Sequence, residues 1–523
     1  MVFFARRILR LWPAVSLAAL TLGLLWAGLA AAGPAQAARP LAAKTLDRDL
    51  EPIVVTGAFD GLPVTQVFVY REVGGAWGQI PFQVDEVTAS GSYTPTEDGL
   101  LDANDEIVFM AGDLGDQATT SITASLPIGA LWYQVEVSDP LSPTKKGWAY
   151  LVSSSVLTAS ASTDYADYAP ASRRLTSANY QLGWASNHSG QDYLSLFGSS
   201  DLLDRTKFRV RYHFQSVPTV ILQLTENASA PAILLLKDGP VRAIVSRAGT
   251  VTRGYASLIQ TVTPVDLTSL PASIVVDEFR LSTDLTNTVP GGTYYNQNVP
   301  AGVTIDGITE TVPATPFTQA WRQVSLDAGT TIQTVDLGGL AGTPTHYYKD
   351  LSVVDNTDTG DRMSYGDSGV AVLAPTTDVF TIESAQYILP GRQPNRGAEF
   401  YAFFQNPLSV TVTAFSEAGQ RLFLPLIANA AAAAGPAAPI DAQVADELAA
   451  RGRTNVFIEL PGDPTLGLEA AGARREAQHV ADTLRDHAER SQASLRRFLD
   501  SQGVRYESFW INNSLYIYAA DLP

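Results

Sequence analysis

Acidic residues are concentrated in one stretch of the sequence, residues 82–117. The stretch contains Asp85, Glu86, Glu97, Asp98, Asp102, Asp105, Glu106, Asp113 and Asp116. At its centre stands DGLLDANDE, residues 98–106, which places side-chain oxygens around a predicted tight turn. Calcium takes six to eight oxygen ligands, and loops of this kind supply them. The sequence therefore predicts a Ca²⁺ site whose ligands are Asp98, Asp102, Asn104 and Glu106.

The same residues have two other interpretations. Their spacing differs from that of an EF-hand loop, and Asp and Asn in a solvated turn commonly accept hydrogen bonds from nearby backbone amides instead of binding a metal. Two carboxylates that face each other across a cleft would also be the arrangement of a glycoside hydrolase. Sequence alone does not choose between a calcium site, an ordinary turn and a catalytic pair.

Motifs of serine proteases occur only as fragments. Gly366-Asp367-Ser368-Gly369 matches the nucleophile turn of chymotrypsin-like enzymes, and Asp358-Thr359-Gly360 has the form of the subtilisin aspartate motif. Neither is accompanied by the histidine base that a catalytic triad needs. None of the 5 histidines is followed by glycine, and Gly-Thr-Ser does not occur. We therefore expect no catalytic residues in this chain.

The elements that must position these side chains are strands. From about residue 50 to 427 the sequence alternates apolar with polar residues, or runs with β-branched and aromatic residues, between turn signals such as Gly291-Gly292. This predicts a mainly β protein with one large β-sandwich or two consecutive ones. A polar segment rich in Ser, Thr and Ala predicts a division of the region into an N-terminal β domain, residues 43–160, and a second β-sandwich region, residues 161–427.

Two features of this region suggest a sugar ligand. The segment LLLKDGPVRAIVSR, residues 234–247, resembles strands in the large β-sandwich domains of carbohydrate-active enzymes. The pairs Tyr294-Tyr295 and Tyr347-Tyr348 could stack on sugar rings if they are exposed, although half-buried strand aromatics more often belong to a core. Residues 43–427 as a whole resemble uncharacterised secreted β-sandwich proteins.

The C-terminal part changes in composition. An Ala/Pro linker, residues 428–439, precedes a segment in which a strand, a helix and two further strands follow each other in the order β-α-β-β. The helix between residues 477 and 499 has one apolar face, with Leu484, Leu495 and Phe498 as its largest residues. Gly503 follows as a helix-ending glycine. We expect a partial ferredoxin-like α+β unit.

Residues 440–523 resemble the subtilisin propeptide, also called peptidase inhibitor family nine. The matching features are IDAQVADELAARG, a strand that leads into ELPGD, the helix LRDHAERSQASLRRFLDSQGV, and YESFWINNSLYIYA. The resemblance implies a module that assists the folding of a subtilisin-like protease, in cis or in trans, and then inhibits it. A second helix and a fourth strand of that family are missing, which puts cleft inhibition in doubt and suggests the front part of a longer precursor.

Residues 1–37 predict an export signal. Arginines precede an apolar run, and Ala35-Gln36-Ala37 forms a small-x-small cleavage site. The run is also long enough for an uncleaved membrane anchor. The protein contains no cysteine, so a secreted destination would not bring disulfides. The net charge of −18 repels phosphate backbones and argues against a nucleic-acid partner.

Two functions follow as expectations. The first is a secreted β-rich protein that carries a subtilisin-propeptide-like module and no catalytic site of its own. The alternative is a secreted carbohydrate-binding or carbohydrate-active β-sandwich protein, with a polysaccharide as its partner. An in-frame continuation of the gene that encodes Asp-Ser/Thr-Gly, His-Gly and Gly-Thr-Ser motifs would favour the first function over the second.

Overall fold

The structure is a computed structural model that describes most of the β region and parts of the C-terminal segment. The described residues are 42–88, 91–93, 98–118, 122, 125–129, 131–160, 163–376, 378–416, 421–429, 456–459, 492, 496, 505–509 and 514–517. The predicted signal, linker and propeptide helix core residues Leu484, Leu495 and Phe498 lie outside them. No helix among the described residues is long and apolar enough to span a membrane.

Strands dominate the described chain, which confirms the mainly β prediction. The first group is β1 (Pro52–Val55), β2 (Val67–Val73), β3 (Ala76–Gln79), β4 (Gln83–Asp85), β5 (Glu106–Met110), β6 (Leu131–Asp139) and β7 (Ser142–Ser153). The reason is visible in β6, where Val135 and Val137 are buried while Gln134, Glu136 and Ser138 are partly exposed. Because successive strand residues point to opposite faces, this two-residue period places Val135 and Val137 on one buried face.

The second group of strands builds the larger part of the molecule. It comprises β8 (Ala166–Ala169), β9 (Arg174–Ser177), β10 (Tyr180–Trp184), β11 (Gln191–Leu196), β12 (Leu203–Phe214), β13 (Val217–Thr225), β14 (Ile233–Asp238), β15 (Ala243–Arg247), β16 (Thr250–Gly254), β17 (Leu258–Asp266), β18 (Ile274–Leu285), β19 (Gly292–Asn296), β20 (Val299–Ile305), β21 (Trp321–Ser325), β22 (Gly329–Asp336), β23 (Thr343–Leu351), β24 (Ser364–Leu373) and β25 (Val379–Pro390). Helix α1 (Gly397–Gln405) follows, and then come β26 (Ser409–Ser416), β27 (Arg421–Asn429), β28 (Val456–Glu459), β29 (Tyr506–Phe509) and β30 (Ser514–Ile517).

The N-terminal region is a two-sheet sandwich. A six-stranded sheet in the order β27-β26-β6-β7-β2-β3 packs on a three-stranded sheet in the order β1-β5-β4. Their facing side chains form one apolar core, which includes Ile53, Phe109, Val135, Leu151 and Val412. Strand β26 pairs antiparallel with β6 along its whole length. Residues 409–429 therefore join the sheet of the range 43–160, and the division into 43–160 and 161–427 stays a prediction.

The second region is a large sandwich. A five-stranded sheet in the order β13-β12-β18-β24-β23 faces a nine-stranded sheet in the order β14-β15-β16-β17-β25-β22-β21-β19-β20. One apolar core between them contains Val210, Phe279, Val370 and Phe380. A second core joins both sheets to the four-stranded sheet β11-β10-β9-β8.

The two regions pack directly on each other. Val108 and Met110 of β5 form a shared core with Ile332 and Tyr387 of the nine-stranded sheet and with Tyr255 in the turn between β16 and β17, and α1 adds Phe400 to it. Strand β5 therefore presents one face to its own sandwich and the other to the second one. This double burial holds β4, the neighbour of β5, against the β14–β15 hairpin.

Three short strands are described in the C-terminal segment. They form an antiparallel sheet in the order β28-β30-β29, and Gln492 and Arg496 between them in sequence are helical. The last strand along the chain thus lies between the other two. This is the sheet order of a partial ferredoxin-like β-α-β-β unit, as the sequence predicts.

Candidate functional site

A pocket of about 580 Å³ lies at the junction of the two β regions. Three segments line it: the turn at Val64 and Thr65, residues 82–85 leading through β4, and residues 235–240 of β14 and the turn that follows. Small-molecule sites typically have volumes of 300–1,000 Å³ and occur preferentially at domain interfaces. The size and position of this pocket therefore make it the candidate ligand site.

Gln83 joins the two walls of the pocket. Its side-chain oxygen accepts hydrogen bonds from the backbone amides of Val241 (3.1 Å) and Arg242 (3.0 Å), and its amide donates to Asp85 (2.7 Å). The backbone of Gly239 approaches so closely that a Cβ atom there would lie 2.6 Å from the Gln83 side chain. The turn can therefore reach β4 only because residue 239 has no side chain.

Arg242 holds the floor of the junction. Its side chain is buried, 1% exposed, and its Nε donates to Asp85 Oδ2 at 2.8 Å while its other nitrogens contact Glu106 and the hydroxyl of Tyr255. Burial by itself would raise the pKa of Glu106, but Arg242 and Arg253 hold it below its usual range. Both carboxylates are thus held in an ion pair, and the Asp85 oxygens are both occupied.

The opposite wall is shaped by a β-bulge. Pairing between β14 and β15 shifts register between Leu235 and Lys237, so Leu236 is an extra residue. Bulges re-aim side chains and are frequent beside functional sites. Beyond it, Lys237 is buried and Asp238 is exposed at the pocket lining, where its carboxylate accepts from the Tyr168 amide at 3.3 Å.

Asp238 differs electrostatically from the other carboxylate of the pocket. Partial burial raises the pKa of Asp238, and the charges of Asp167 and Asp164 raise it further, while the Tyr168 amide opposes them. Asp85 is already committed to Arg242 and Gln83. Of the two carboxylates that line the pocket in the described part of the chain, Asp238 is the one available to a ligand.

The remaining lining is largely apolar. Phe82 offers an aromatic ring, and its neighbours along the walls are Val64, Val84, Leu235, Leu236 and Pro240. An apolar wall with few polar groups is the usual composition of a small-molecule site. A ligand here would place an apolar face against Phe82 and hydrogen-bond donors toward Asp238.

The predicted calcium ligands are drawn into other interactions. Asp98 accepts from the Leu100 amide at 2.8 Å, Asn104 donates to the Val87 carbonyl, and Glu106 accepts from Tyr93 at 3.0 Å as well as from Arg242. Glu86, outside the predicted set, accepts from the amides of Asp98 and Gly99. These contacts are typical of an Asx-type turn, and calcium binding by Asp98, Asp102, Asn104 and Glu106 stays a prediction.

The protease-like fragments are structural. Ser368 is fully buried in β24, where its hydroxyl accepts from Arg322 at 3.1 Å, and Asp358 pairs with Lys207 at 2.9 Å. The tyrosine pairs are also mainly structural. Tyr294 is buried and stacks on Tyr348 with ring centroids 4.4 Å apart, while Tyr347 lies under Arg280.

Sequence analysis missed a charged cluster on the outer face of the five-stranded sheet. The Lys207 ammonium lies 2.6 Å from Asp284, 2.9 Å from Asp358 and 3.4 Å from Asp367. Burial, reinforced by Asp367, raises the pKa of Asp284 well above its usual range. The alternation of charged with apolar residues in β12, KFRVRYH, was the signal, since Phe208 and Val210 pack in the core while Lys207 and Arg209 face away from it.

Carboxylates approach each other closely at three places among the described residues. The groups are Asp204 with Asp284 and Asp361, Asp284 with Asp358 and Asp367, and Asp306 with Glu310 and Asp350, and within each group oxygens lie within 4.8 Å of one another. None includes a predicted calcium ligand. In the second group the ammonium of Lys207 supplies the positive charge.

The fold and the pocket define a multi-sheet β-sandwich protein with a ligand-sized pocket between its two β regions. No family model matches the chain, and no curated protein matches it either. An alpha-mannosidase from Enterococcus faecalis V583 aligns with 12% identity and a TM-score of 0.40, over 71% of this chain and 45% of that one. A glycosyl hydrolase family 38 protein from Enterococcus faecalis gives 11% identity and a TM-score of 0.40, over 71% and 46%.

A family GH92 alpha-mannosidase from Bacteroides thetaiotaomicron aligns with 10% identity and a TM-score of 0.24, over 46% of this chain and 33% of that one. This chain therefore spans less than half the length of each of these solved structures. Two of the three are named alpha-mannosidases, and the other is named a protein in glycosyl hydrolase family 38.

The propeptide resemblance of residues 440–523 is wrong. No family model matches the chain, for a protease propeptide, a peptidase inhibitor or any other family. A subtilisin-like protease partner has no support either. The physical reason is that the β28-β30-β29 sheet order with an intervening helix satisfies general packing rules, so unrelated families share it. Element order identified the local topology without identifying the family.

Proposed function

We propose that this protein binds a neutral carbohydrate in the pocket between its two β regions. The observation that carries the proposal is the composition of that pocket. It combines the aromatic ring of Phe82 and apolar side chains with the accessible carboxylate of Asp238. Sugars have both kinds of surface, because their ring C–H groups are apolar and their hydroxyl groups donate hydrogen bonds.

The hydrogen bonds that Asp238 would accept are charge-assisted and therefore stronger than neutral ones. Stacking against Phe82 would exclude water from them, which strengthens them further. The net charge of −18 favours a neutral sugar over an acidic one, since an anionic polysaccharide would be repelled.

Binding is favoured over cleavage. A glycoside hydrolase of the common kind needs two carboxyl groups that flank the scissile bond. Both carboxylate oxygens of Asp85 already accept hydrogen bonds, one from Arg242 and the other from Gln83, so Asp85 is not available to a substrate. The pocket then offers one working carboxylate, Asp238, which suits recognition better than hydrolysis.

Titration calorimetry with a panel of neutral mono- and oligosaccharides, α-mannosides included, tests the proposal. We expect at least one to bind the full chain, and Asp238→Asn to weaken it about tenfold or more, since a charge-assisted hydrogen bond contributes roughly 1.5–3 kcal/mol. Asp167→Asn is the matched control, because Asp167 is exposed nearby and does not line the pocket.

Failure of every sugar in the panel to bind, or equal weakening by both substitutions, would contradict carbohydrate binding in this pocket. Release of reducing sugar that Asp238→Asn abolishes would instead assign a hydrolase activity to it.

A further inference from the structure

The pocket between the two β regions is larger than one sugar ring requires. Its volume of about 580 Å³ lies well within the range of roughly 300–1,000 Å³ that is typical of sites for drug-sized ligands. A monosaccharide is smaller than such a ligand, so a single ring stacked on Phe82 would leave part of the pocket to water. The remaining volume can hold a second sugar unit.

Two polar side chains of the pocket lining are exposed, one on each wall. Thr65 lies on the wall of the N-terminal β region, in the turn that leads into β2, and Asp238 lies on the opposite wall as the last residue of β14. The other polar side chains of the lining, Gln83, Asp85 and Lys237, are buried. Thr65 and Asp238 are therefore the lining side chains that can bind sugar hydroxyl groups from the two sides of the pocket.

The two exposed groups differ in their hydrogen-bonding capacity. The ionised carboxylate of Asp238 only accepts hydrogen bonds, whereas the hydroxyl of Thr65 both donates and accepts them. A sugar hydroxyl can therefore bind Thr65 in either role. The C–H faces of two linked rings can also contact the half-buried apolar side chains that both walls contribute, which are Val64, Val84, Leu235 and Leu236.

We propose that the ligand of this pocket is a neutral oligosaccharide of at least two units, which bridges the two β regions. One unit stacks on Phe82 and donates to Asp238, and the next unit forms a hydrogen bond with Thr65. This inference rests on the carbohydrate binding proposed above and adds to it the length of the ligand. Thr65 then contributes to the affinity for longer chains and not to the affinity for a monosaccharide.

Chain length should affect affinity for a physical reason. Most of the translational and rotational freedom that a ligand loses on binding is already lost with its first bound unit. A second unit linked to the first adds the hydrogen bond to Thr65 and apolar contacts at a smaller further cost. The dissociation constant should therefore fall about tenfold from the monosaccharide to the disaccharide.

Titration calorimetry of the full chain with a mono-, a di- and a trisaccharide of one neutral sugar tests the proposal. Thr65→Val keeps the shape of the side chain without its hydroxyl, and it should weaken disaccharide binding about three- to tenfold while leaving monosaccharide binding unchanged. Thr65→Ser restores a hydroxyl and should bind the disaccharide about as tightly as the wild type does. Thr381→Val is the matched control, because Thr381 is exposed in β25 and does not line the pocket.

A monosaccharide that binds as tightly as the longer sugars would overturn this inference. So would a disaccharide that Thr65→Val and Thr381→Val bind equally tightly. In either case, weaker binding by Asp238→Asn would leave carbohydrate binding in this pocket intact as a proposal. Failure of every sugar to bind, at any length, would instead overturn both proposals together.

Discussion

His346 should make the large sandwich sensitive to acid. The residue lies in β23 with 4% of its surface exposed, and its ring packs against that of Phe317 with centroids 4.6 Å apart. Burial lowers the pKa of His346 from 6.5 to about 4, and a backbone contact with Gln319 offsets this only in part. The folded protein therefore holds the imidazole neutral at a pH at which the unfolded chain would protonate it.

The sign and size of the effect follow from linkage. Because the folded pKa lies below the unfolded one, protonation favours unfolding, and stability is lost as pH falls from about 6.5 to about 4. With these two values the loss is about 0.2 kcal/mol at pH 7, about 2 kcal/mol at pH 5 and about 3 kcal/mol at pH 4. Below the folded pKa this contribution becomes constant.

Urea unfolding of the wild-type protein and of His346→Leu at pH 8 and pH 5 measures the effect. The substitution changes packing at both pH values, but only the wild type contains the titrating ring. The stability of the variant relative to wild type should therefore rise by about 2 kcal/mol between pH 8 and pH 5.

His213→Gln is the control for this experiment. His213 is only partly buried, and its Nδ1 lies 2.9 Å from Asp277 Oδ1, so its surroundings differ from the apolar burial of His346. Its substitution should not produce the gain in acid. If the free energies of unfolding of wild type and His346→Leu changed in parallel with pH, the inference that His346 is held neutral would be refuted.

Two further predictions concern charges. Lys207→Met should lower the free energy of unfolding by about 3–5 kcal/mol, because it leaves buried Asp284 and Asp367 without their cation. The control Lys145→Met breaks an exposed ion pair with Asp47 and should lower the free energy of unfolding by no more than about 1 kcal/mol. Equal losses for the two variants in urea unfolding would argue against a special role for the buried cluster. If Asp98, Asp102, Asn104 and Glu106 bind calcium, the midpoint of thermal unfolding should be higher in millimolar calcium than in the presence of a chelator, since a ligand that binds only the folded state stabilises it. An unchanged midpoint would indicate that residues 98–106 form an ordinary turn.

Local chemistry along the sequence determined the type of most elements. The two-residue period that predicts strands is present in β6, where Val135 and Val137 are buried between partly exposed residues. The same kind of pattern indicated the β-α-β-β order whose three strands appear as β28, β29 and β30. Such patterns can be recognised in the sequence because the face of a strand or helix on which a residue lies depends only on its position relative to its sequence neighbours.

The identity of the C-terminal family was beyond that reasoning. Strand order and an apolar helix face are demanded by packing in any small α+β unit, so they do not separate one family from another. The propeptide prediction was wrong because it took a β-α-β-β order, which many families share, as evidence of membership in one family.

Tertiary structure alone decided where the candidate site lies. Gln83 meets the amides of Val241 and Arg242 across more than 150 residues of sequence, and β26 returns to pair with β6. Periodicity indicates which face of a strand is buried, but not which strand will lie beside it, because many apolar faces in a large β protein are interchangeable partners. The pocket and the burial of His346 both depend on that choice of partners, which is made by the packing of the whole chain.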